Sequence, residues 1–257
     1  MTELITSFPR CHDCACFRSG SAAACLACAS GQISRPGPDA CPVCSQRLAN
    51  DGRCPNELCR HPGRRIGKIR AIGYQSGPLR RAIHSYKYGG VRSWSVLLGR
   101  LLLAWLEQTM TADPPDLIVV NPGYPGADAS NGQEFGHTEA VLRAAAAADA
   151  ERRWPFDIAT PAAIIKTGPT LKSADAQAWS KRVTATELRD ALAVPDAGRT
   201  AGRFILVYDD ICTTGGQLDA VAGCLLDQGG ATRVEGIVLA RAPWRGLSDF
   251  PLRTDFG

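Results

Sequence analysis

Residues 204–221 read FILVYDDICTTGGQLDAV, and this stretch decides the fold. Its continuous apolar run at 204–208 is typical of a parallel strand buried on both faces. Two acids follow the run, then a loop of small residues, and the apolar spacing beyond the loop predicts a helix over 216–228. A strand that leads through a glycine-containing loop into a helix is one βα unit of an α/β sheet.

The same alternation extends to both sides of this unit. We predict further strands over 116–120, 162–165 and 234–239, and further helices over 78–88, 95–110, 134–150 and 173–192. A short strand also fits the start of the basic segment 63–77. Strands that alternate with helices indicate a parallel sheet flanked by helices. The sequence therefore predicts an α/β domain over 64–257, after a smaller module over 1–63.

The loop after the strand at 204–208 is a candidate anion site. In an open α/β sheet, ligands bind beyond the carboxyl ends of the strands. Loop N–H groups and a helix N-terminus attract an anion, and glycine lets the backbone approach it closely. The two carboxylates are poor phosphate ligands but suit the vicinal hydroxyls of a sugar. We predict a sugar-phosphate site, and the alternative is an ordinary strand-to-helix turn with an acidic N-cap.

The stretch resembles the phosphoribosyl pyrophosphate signature of type I phosphoribosyltransferases: a strand, two acids, two further residues, a Ser/Thr pair and glycine. The resemblance implies that Asp209 and Asp210 hold the ribose 2′- and 3′-hydroxyls. It places the 5′-phosphate on Thr213, Thr214, Gly215, Gly216 and Gln217. Because the family has Ser or Thr where this chain has Gln217, the resemblance favours ligand binding more than turnover. Mg²⁺ would arrive with the pyrophosphate.

Phosphoribosyl transfer also needs positive charge or N–H donors near the leaving pyrophosphate. The turn at 121–123 is a candidate source of backbone donors, and Lys87, Lys172 and Arg182 are candidate cations. The alternative for each cation is a solvated surface residue. Cys212 is expected to fill space rather than act as a nucleophile. The sequence assigns no catalytic residue, so whether the chain is an enzyme stays open.

Nine of the eleven cysteines lie between Cys11 and Cys59, in a segment with few large aliphatic residues. Such a segment needs a staple to fold. Two thiolates on one tight turn reach a single tetrahedral ion, and a second pair completes four ligands. We predict one or two structural Zn²⁺ ions, paired sequentially or interleaved, on Cys11, Cys14, Cys25, Cys28, Cys41, Cys44, Cys54 and Cys59. Cys16, His12 and His61 are possible substitutes, and disulfides are the alternative.

Residues 72–90, IGYQSGPLRRAIHSYKYGG, resemble a segment of ComF-type proteins. Those proteins join an N-terminal cysteine module to a phosphoribosyltransferase domain and are linked to DNA uptake and competence. Where they carry an Arg-Gly-Phe-Asn-like patch, this chain reads QEFGH at 133–137 and lacks the arginine. Two functions follow as expectations. One is a Mg²⁺-dependent phosphoribosyltransferase with an unidentified acceptor, and the other is a non-catalytic accessory factor in DNA uptake or nucleic-acid processing.

Nine Lys or Arg residues and no acid lie between Arg60 and Arg92, with Tyr74, Tyr86 and Tyr88 among them. This basic connector, together with the zinc module, is a candidate track for single-stranded nucleic acid. The alternative is a solvated basic face whose tyrosines pack in the core. The most apolar stretch, 96–106, is too short to span a bilayer, and the first ten residues lack the apolar core of a secretory signal. We therefore expect a cytoplasmic protein.

Overall fold

The computed structural model describes residues 32–123, 136–168 and 187–243. At its centre is a four-stranded parallel sheet with the strand order β1-β6-β5-β2. Its strands are β1 (Ile69–Tyr74), β2 (Leu117–Val120), β5 (Phe204–Cys212) and β6 (Arg233–Arg241). A separate antiparallel pair joins β3 (Ile165–Lys166) to β4 (Leu192–Ala193). The predicted α/β class with a parallel sheet is confirmed for this part of the chain.

Helices cover both faces of the sheet. They are α1 (Gly77–Tyr88), α2 (Trp94–Thr109), α3 (His137–Ala148) and α4 (Gly216–Asp227). One apolar core packs α1, α2 and α3 against one face, and a second core packs α4 against the other. Helices α2 and α3 approach so closely that a Cβ at Gly99 would lie 2.7 Å from the Ala145 nitrogen. The second core also contains the thiols of Cys41 and Cys44.

Strand β5 extends beyond the end of its neighbour β2. The last residue of β2, Val120, pairs with Tyr208, whereas β5 continues to Cys212, which still pairs with Arg241 of β6. The helix after β2 packs on one face of the sheet and the helix after β5 packs on the other. Neighbouring strands whose helices leave to opposite faces open a crevice at their carboxyl ends, where ligands bind in such folds.

Four predicted elements differ from the structure. The strand expected over 162–165 covers only Ile165–Lys166 and lies in the antiparallel pair, outside the parallel sheet. The short strand expected at the start of the basic segment begins later, at Ile69. The strand expected over 204–208 runs on through both acids to Cys212, because their side chains find polar partners inside the fold. The helix expected over 173–192 ends earlier: residues 187–190 are helical, and Leu192 pairs with Lys166 across the antiparallel pair. Residues 169–186 lie outside the described part of the chain. Within the described part, no helix has the length and apolarity needed to cross a membrane.

Candidate functional site

Two buried carboxylates stand at the crevice between β2 and β5. Asp209 and Asp210 lie within β5 and are only 8% and 7% exposed. Asp209 accepts a hydrogen bond of 2.8 Å from Nδ2 of Asn121, the residue after β2. Asp210 forms a 2.6 Å ion pair with Nζ of Lys87 from α1. The carboxyl end of β2, the body of β5 and the last turn of α1 therefore converge on these two acids.

The surroundings of Asp209 and Lys87 alter the pKa of each group. Burial, and next the charge of Asp210, raise the pKa of Asp209 to about 7, although hydrogen bonds from the Asp210 N–H and Asn121 oppose the rise. Burial disfavours the charged form of Lys87, but the charge of Asp210, its hydrogen bond and the smaller effects of Asp209 and Tyr88 together raise the pKa of Lys87 above its ordinary value. Near pH 7, Asp209 is therefore divided between its two protonation states while Lys87 is charged.

The loop after β5 strongly favours glycine at one position. Gly215 has φ +86°, in the left-handed region that costs residues with a Cβ roughly 1–2 kcal/mol. A Cβ there would also lie 2.7 Å from Cδ1 of Ile69 and 3.0 Å from Cδ2 of Leu58. The loop thus lies against β1 and against the segment between Cys54 and Cys59. Helix α4 begins at the next residue, Gly216.

The carbonyl oxygens of the loop are held from one side. Cys212 O accepts a hydrogen bond of 2.9 Å from Nη1 of Arg241, which also donates to Thr213 O. Thr214 O accepts a 2.9 Å bond from Nδ2 of Asn56. Because the C=O and N–H of a trans peptide point in opposite directions, the N–H groups of residues 213–215 face away from Arg241 and Asn56.

Those N–H groups form a run of available donors. In the part of the chain that the structure describes, the N–H groups of Thr213, Thr214 and Gly215 donate to no protein group. Gly216 N–H makes a long 3.4 Å contact with Oγ1 of Thr214. Successive unpaired amides before a helix N-terminus are the arrangement that binds phosphate oxygens. Of the proposed ligand-binding residues, Thr213 and Gln217 are exposed on the surface.

The structure brings four of the eight predicted cysteine ligands together. The sulfur atoms of Cys41, Cys44, Cys54 and Cys59 all lie within 4.8 Å of one another. Three of their separations are 3.6, 3.7 and 3.8 Å. Zn–S bonds of about 2.3 Å in a tetrahedron give S···S edges of about 3.8 Å, so the cluster fits one Zn²⁺. Cys11, Cys14, Cys25 and Cys28 lie outside the described residues.

A short 3₁₀ helix explains how the wider Cys54 to Cys59 spacing still supplies two ligands. The helix spans Glu57–Arg60, and Asn56 is its N-cap. The Asn56 side chain accepts a hydrogen bond from the Leu58 N–H. This turn returns the chain so that Cys59 Sγ lies 3.6 Å from Cys54 Sγ. His61 is not part of the cluster, and its Nδ1 accepts a 3.1 Å bond from Gly63 N–H.

Three of the clustered thiols, those of Cys44, Cys54 and Cys59, differ in acidity. A hydrogen bond from Cys59 is the main cause that lowers the pKa of Cys44 to about 4; burial opposes it, and the charge of Arg241 supports it. Burial raises the pKa of Cys54 to about 11, and the hydrogen bond to Cys44 raises that of Cys59 strongly. Without a metal, Cys44 is therefore the thiolate, and Cys54 and Cys59 keep their protons. A bound Zn²⁺ would displace the remaining protons.

The basic connector is less open than its sequence indicates. Tyr74 and Tyr86 are only 6% and 5% exposed and pack in the interior, whereas Tyr88 is 74% exposed. Only Tyr88 therefore remains of the predicted aromatic platforms. Three of the basic residues pair with acids: Arg65 with Asp227, Arg70 with Glu235, and Lys87 with Asp210.

Other sequence-based candidates have mixed outcomes. In the turn at 121–123, Asn121 N–H already donates to Tyr208 O and Pro122 has no N–H, so Gly123 alone could offer a free backbone donor. Cys212 is buried, and burial raises its pKa to about 12, which agrees with a packing role. Lys172, Arg182 and residues 133–135 lie outside the described part of the chain.

Three residues that shape this site were not identified from the sequence. The sequence pattern gives no role to the side chain of Asn121, or to Asn56 between Cys54 and Cys59. Arg241 ends an apolar strand, where a basic residue is usually taken as solvated, yet its side chain is 0% exposed. The sequence signal for this burial is the position of Arg241 directly after the apolar run GIVLA at 236–240.

No protein-family model matches the chain, and no curated protein matches it either. Its function is therefore inferred from its own residues and their geometry.

Proposed function

We propose that the chain binds phosphoribosyl pyrophosphate, or a related sugar phosphate, in the crevice between β2 and β5. In this proposal it is a ComF-type protein with a type I phosphoribosyltransferase domain. The observation that carries the proposal is the placement of two buried carboxylates directly before a run of available amide donors. Carboxylates accept hydrogen bonds from sugar hydroxyls, and amides at a helix N-terminus bind phosphate. A ligand that carries both groups satisfies both parts of the site.

The ion pair between Lys87 and Asp210 gives the free site a resting arrangement. A ligand that brings hydroxyl donors and Mg²⁺ would supply positive charge at Asp210 in place of the ammonium group. Lys87, whose Nζ lies 2.6 Å from Asp210, would then be released next to the pyrophosphate. A cation at that position would stabilise the charge that develops on pyrophosphate as it leaves. Transfer of phosphoribose to a base or amine is the reaction that this arrangement would support.

Calorimetric titration with phosphoribosyl pyrophosphate and Mg²⁺ tests the binding site. Asp210→Ala removes a charged acceptor, and charged hydrogen bonds contribute about 1.5–3 kcal/mol, so affinity should fall at least about tenfold. Asp113→Ala is the matched control, because Asp113 is an exposed acid that pairs with Arg233. Equal affinity of wild type and Asp210→Ala would remove this acid from the site, and a wild-type chain that does not bind would refute the proposal.

Pyrophosphate release separates an enzyme from an accessory factor. The wild-type protein would be incubated with phosphoribosyl pyrophosphate, Mg²⁺ and a panel of bases and amines. Release that depends on one acceptor supports a transferase. Tight binding with no release supports an accessory role, which the Gln217 substitution and the absent arginine near Phe135 favour.

A second candidate function, binding of single-stranded nucleic acid, is favoured by the outer face of α1. Arg80, Arg81, His84 and Tyr88 are all exposed there, and the rings of His84 and Tyr88 lie 5.0 Å apart. An exposed aromatic among cations is suited to stack a base, and such stacking contributes about 1–3 kcal/mol. Tyr88→Ala should weaken binding of an oligonucleotide at least about fivefold. Val96→Ala, at another exposed apolar residue, should not.

A further inference from the structure

Arg241 is a fully buried cation at the carboxyl end of the central sheet. It is the last residue of β6 and is 0% exposed. Among residues 32–123, 136–168 and 187–243, no acid forms an ion pair with it, and its Nε has no hydrogen-bond partner. An uncompensated buried charge is strongly destabilising. Within the described part of the chain, the negative charge beside this guanidinium must therefore come from a group other than a carboxylate.

The guanidinium lies between the cysteine cluster and the loop after β5. Its Nη2 is 3.7 Å from Sγ of Cys44, one of the four clustered cysteines. Its Nη1 donates to the carbonyl oxygens of Cys212 and Thr213, the residues that lead into the candidate phosphate loop. One planar guanidinium group thus contacts both the cysteine cluster and the loop after β5.

We propose that Arg241 is a positioning residue that couples metal occupancy of the four-cysteine cluster to the geometry of the loop at 212–215. Four thiolates on one Zn²⁺ carry a formal charge of about −2, which would be a counter-charge for the buried guanidinium. The metal centre holds Arg241, and Arg241 holds the loop carbonyls so that the opposite N–H groups face the crevice.

A second connection runs in parallel with the first. Asn56 lies between the ligands Cys54 and Cys59, is 2% exposed, and donates to Thr214 O. Metal binding fixes both ends of the short segment that carries Asn56. The consequence for sugar-phosphate affinity rests on the proposed function, whereas the coupling itself does not.

The first test measures metal affinity. Arg241→Met should weaken Zn²⁺ binding, measured by competition with a chromophoric chelator, by about 10- to 100-fold, the usual effect of losing a partner outside the ligand set. Arg241→Lys keeps the charge and should lose less. Arg233→Met, on the same strand but in an exposed ion pair, is the control and should keep wild-type affinity.

The second test measures hydrogen exchange at the amides of Thr213, Thr214 and Gly215. Exchange should accelerate when zinc is stripped from the wild-type chain, and in zinc-loaded Arg241→Lys, because lysine lacks the planar fork that holds both carbonyls. A folded Arg241→Met with unchanged zinc affinity and unchanged loop exchange would overturn the proposal.

Should Arg241→Met fail to fold, unchanged exchange in both Arg241→Lys and the zinc-free wild-type chain would overturn it as well. Phosphoribosyl pyrophosphate binding, measured separately on the wild-type chain, reports on the proposed function. A chain that shows the coupling but does not bind this ligand would refute the function and leave the coupling standing.

Discussion

Replacing Lys87 with methionine would remove the cation that pairs with Asp210 and leave two neighbouring buried acids. The side chains of Lys87 and Asp210 are 26% and 10% exposed, so their pair lies between a surface and a buried ion pair. Surface pairs contribute about 0–1 kcal/mol, and breaking a buried pair costs about 3–5 kcal/mol. We therefore expect Lys87→Met to lower the free energy of unfolding by about 2 kcal/mol at pH 8.

The loss should depend on pH because Lys87 also acts on Asp209. The ammonium group helps to keep the pKa of Asp209 from rising further, so methionine would raise it above about 7. A raised carboxyl pKa means that the folded state binds a proton that the unfolded state releases, and stability falls as pH rises through the folded pKa. Each further unit by which the folded-state pKa of Asp209 rises lowers the free energy of unfolding by up to about 1.4 kcal/mol at a pH above that pKa. The loss should thus be smaller at pH 5.

Urea denaturation of wild type and Lys87→Met from pH 5 to pH 8.5 measures this difference. At about 2–4 °C per kcal/mol for a chain of this size, thermal melting at pH 8 should fall by roughly 4–8 °C. Lys68→Met, at an exposed lysine, is the control and should change stability by less than about 0.5 kcal/mol. A loss that is the same at pH 5 and pH 8, or no larger than that of the control, would refute the electrostatic explanation.

Three further predictions concern the loop, the cluster and the crevice. Gly215→Ala should lower the free energy of unfolding by about 1–3 kcal/mol more than Gly90→Ala. Both glycines have positive φ, but of the two only Gly215 has close neighbours for a Cβ. Equal losses in urea denaturation would contradict the packing of the loop. Elemental analysis of the reduced protein should find zinc, and Cys44→Ser should reduce it; a folded wild-type chain free of metal would contradict the zinc site. Affinity for phosphoribosyl pyrophosphate with Mg²⁺ should fall as pH drops below about 7, where Asp209 becomes protonated. Asp209→Asn should weaken binding and reduce the dependence of affinity on pH, both measured by calorimetry.

The sequence predicts the sheet well because apolar runs and turn residues are local signals. The run at 204–208, the helix after Gly216 and the strand before Arg241 all appear in the structure close to where the pattern indicates. The pattern ends β5 too early, because Asp209 and Asp210 are unfavourable in a strand unless partners are present. Those partners, Asn121 and Lys87, come from other parts of the chain and are revealed only by tertiary contacts.

Burial of polar and aromatic side chains was the least predictable property. Tyr74, Tyr86 and Tyr88 are equivalent in a composition argument, yet only the last is exposed, because the first two lie on the inner faces of β1 and α1. Arg241 was overlooked for the converse reason, since its environment depends on where Cys44 and Thr213 lie. The cysteine spacing, by contrast, indicates eight ligands, and the fold brings together the four that lie in the described part of the chain.

The thiols of Cys41 and Cys44 share an apolar core with Ile205, Val207 and Val238 of the central sheet. A fragment that begins after residue 63 would expose the apolar side chains of the sheet that these cysteines cover. It would also remove Cys44, the sulfur that Arg241 contacts. Expression of such a truncated chain should yield aggregates rather than a smaller working domain, and grafting the cysteine segment onto an unrelated sheet should fail for the same reason. The cysteine segment and the sheet are therefore expected to fold and unfold together.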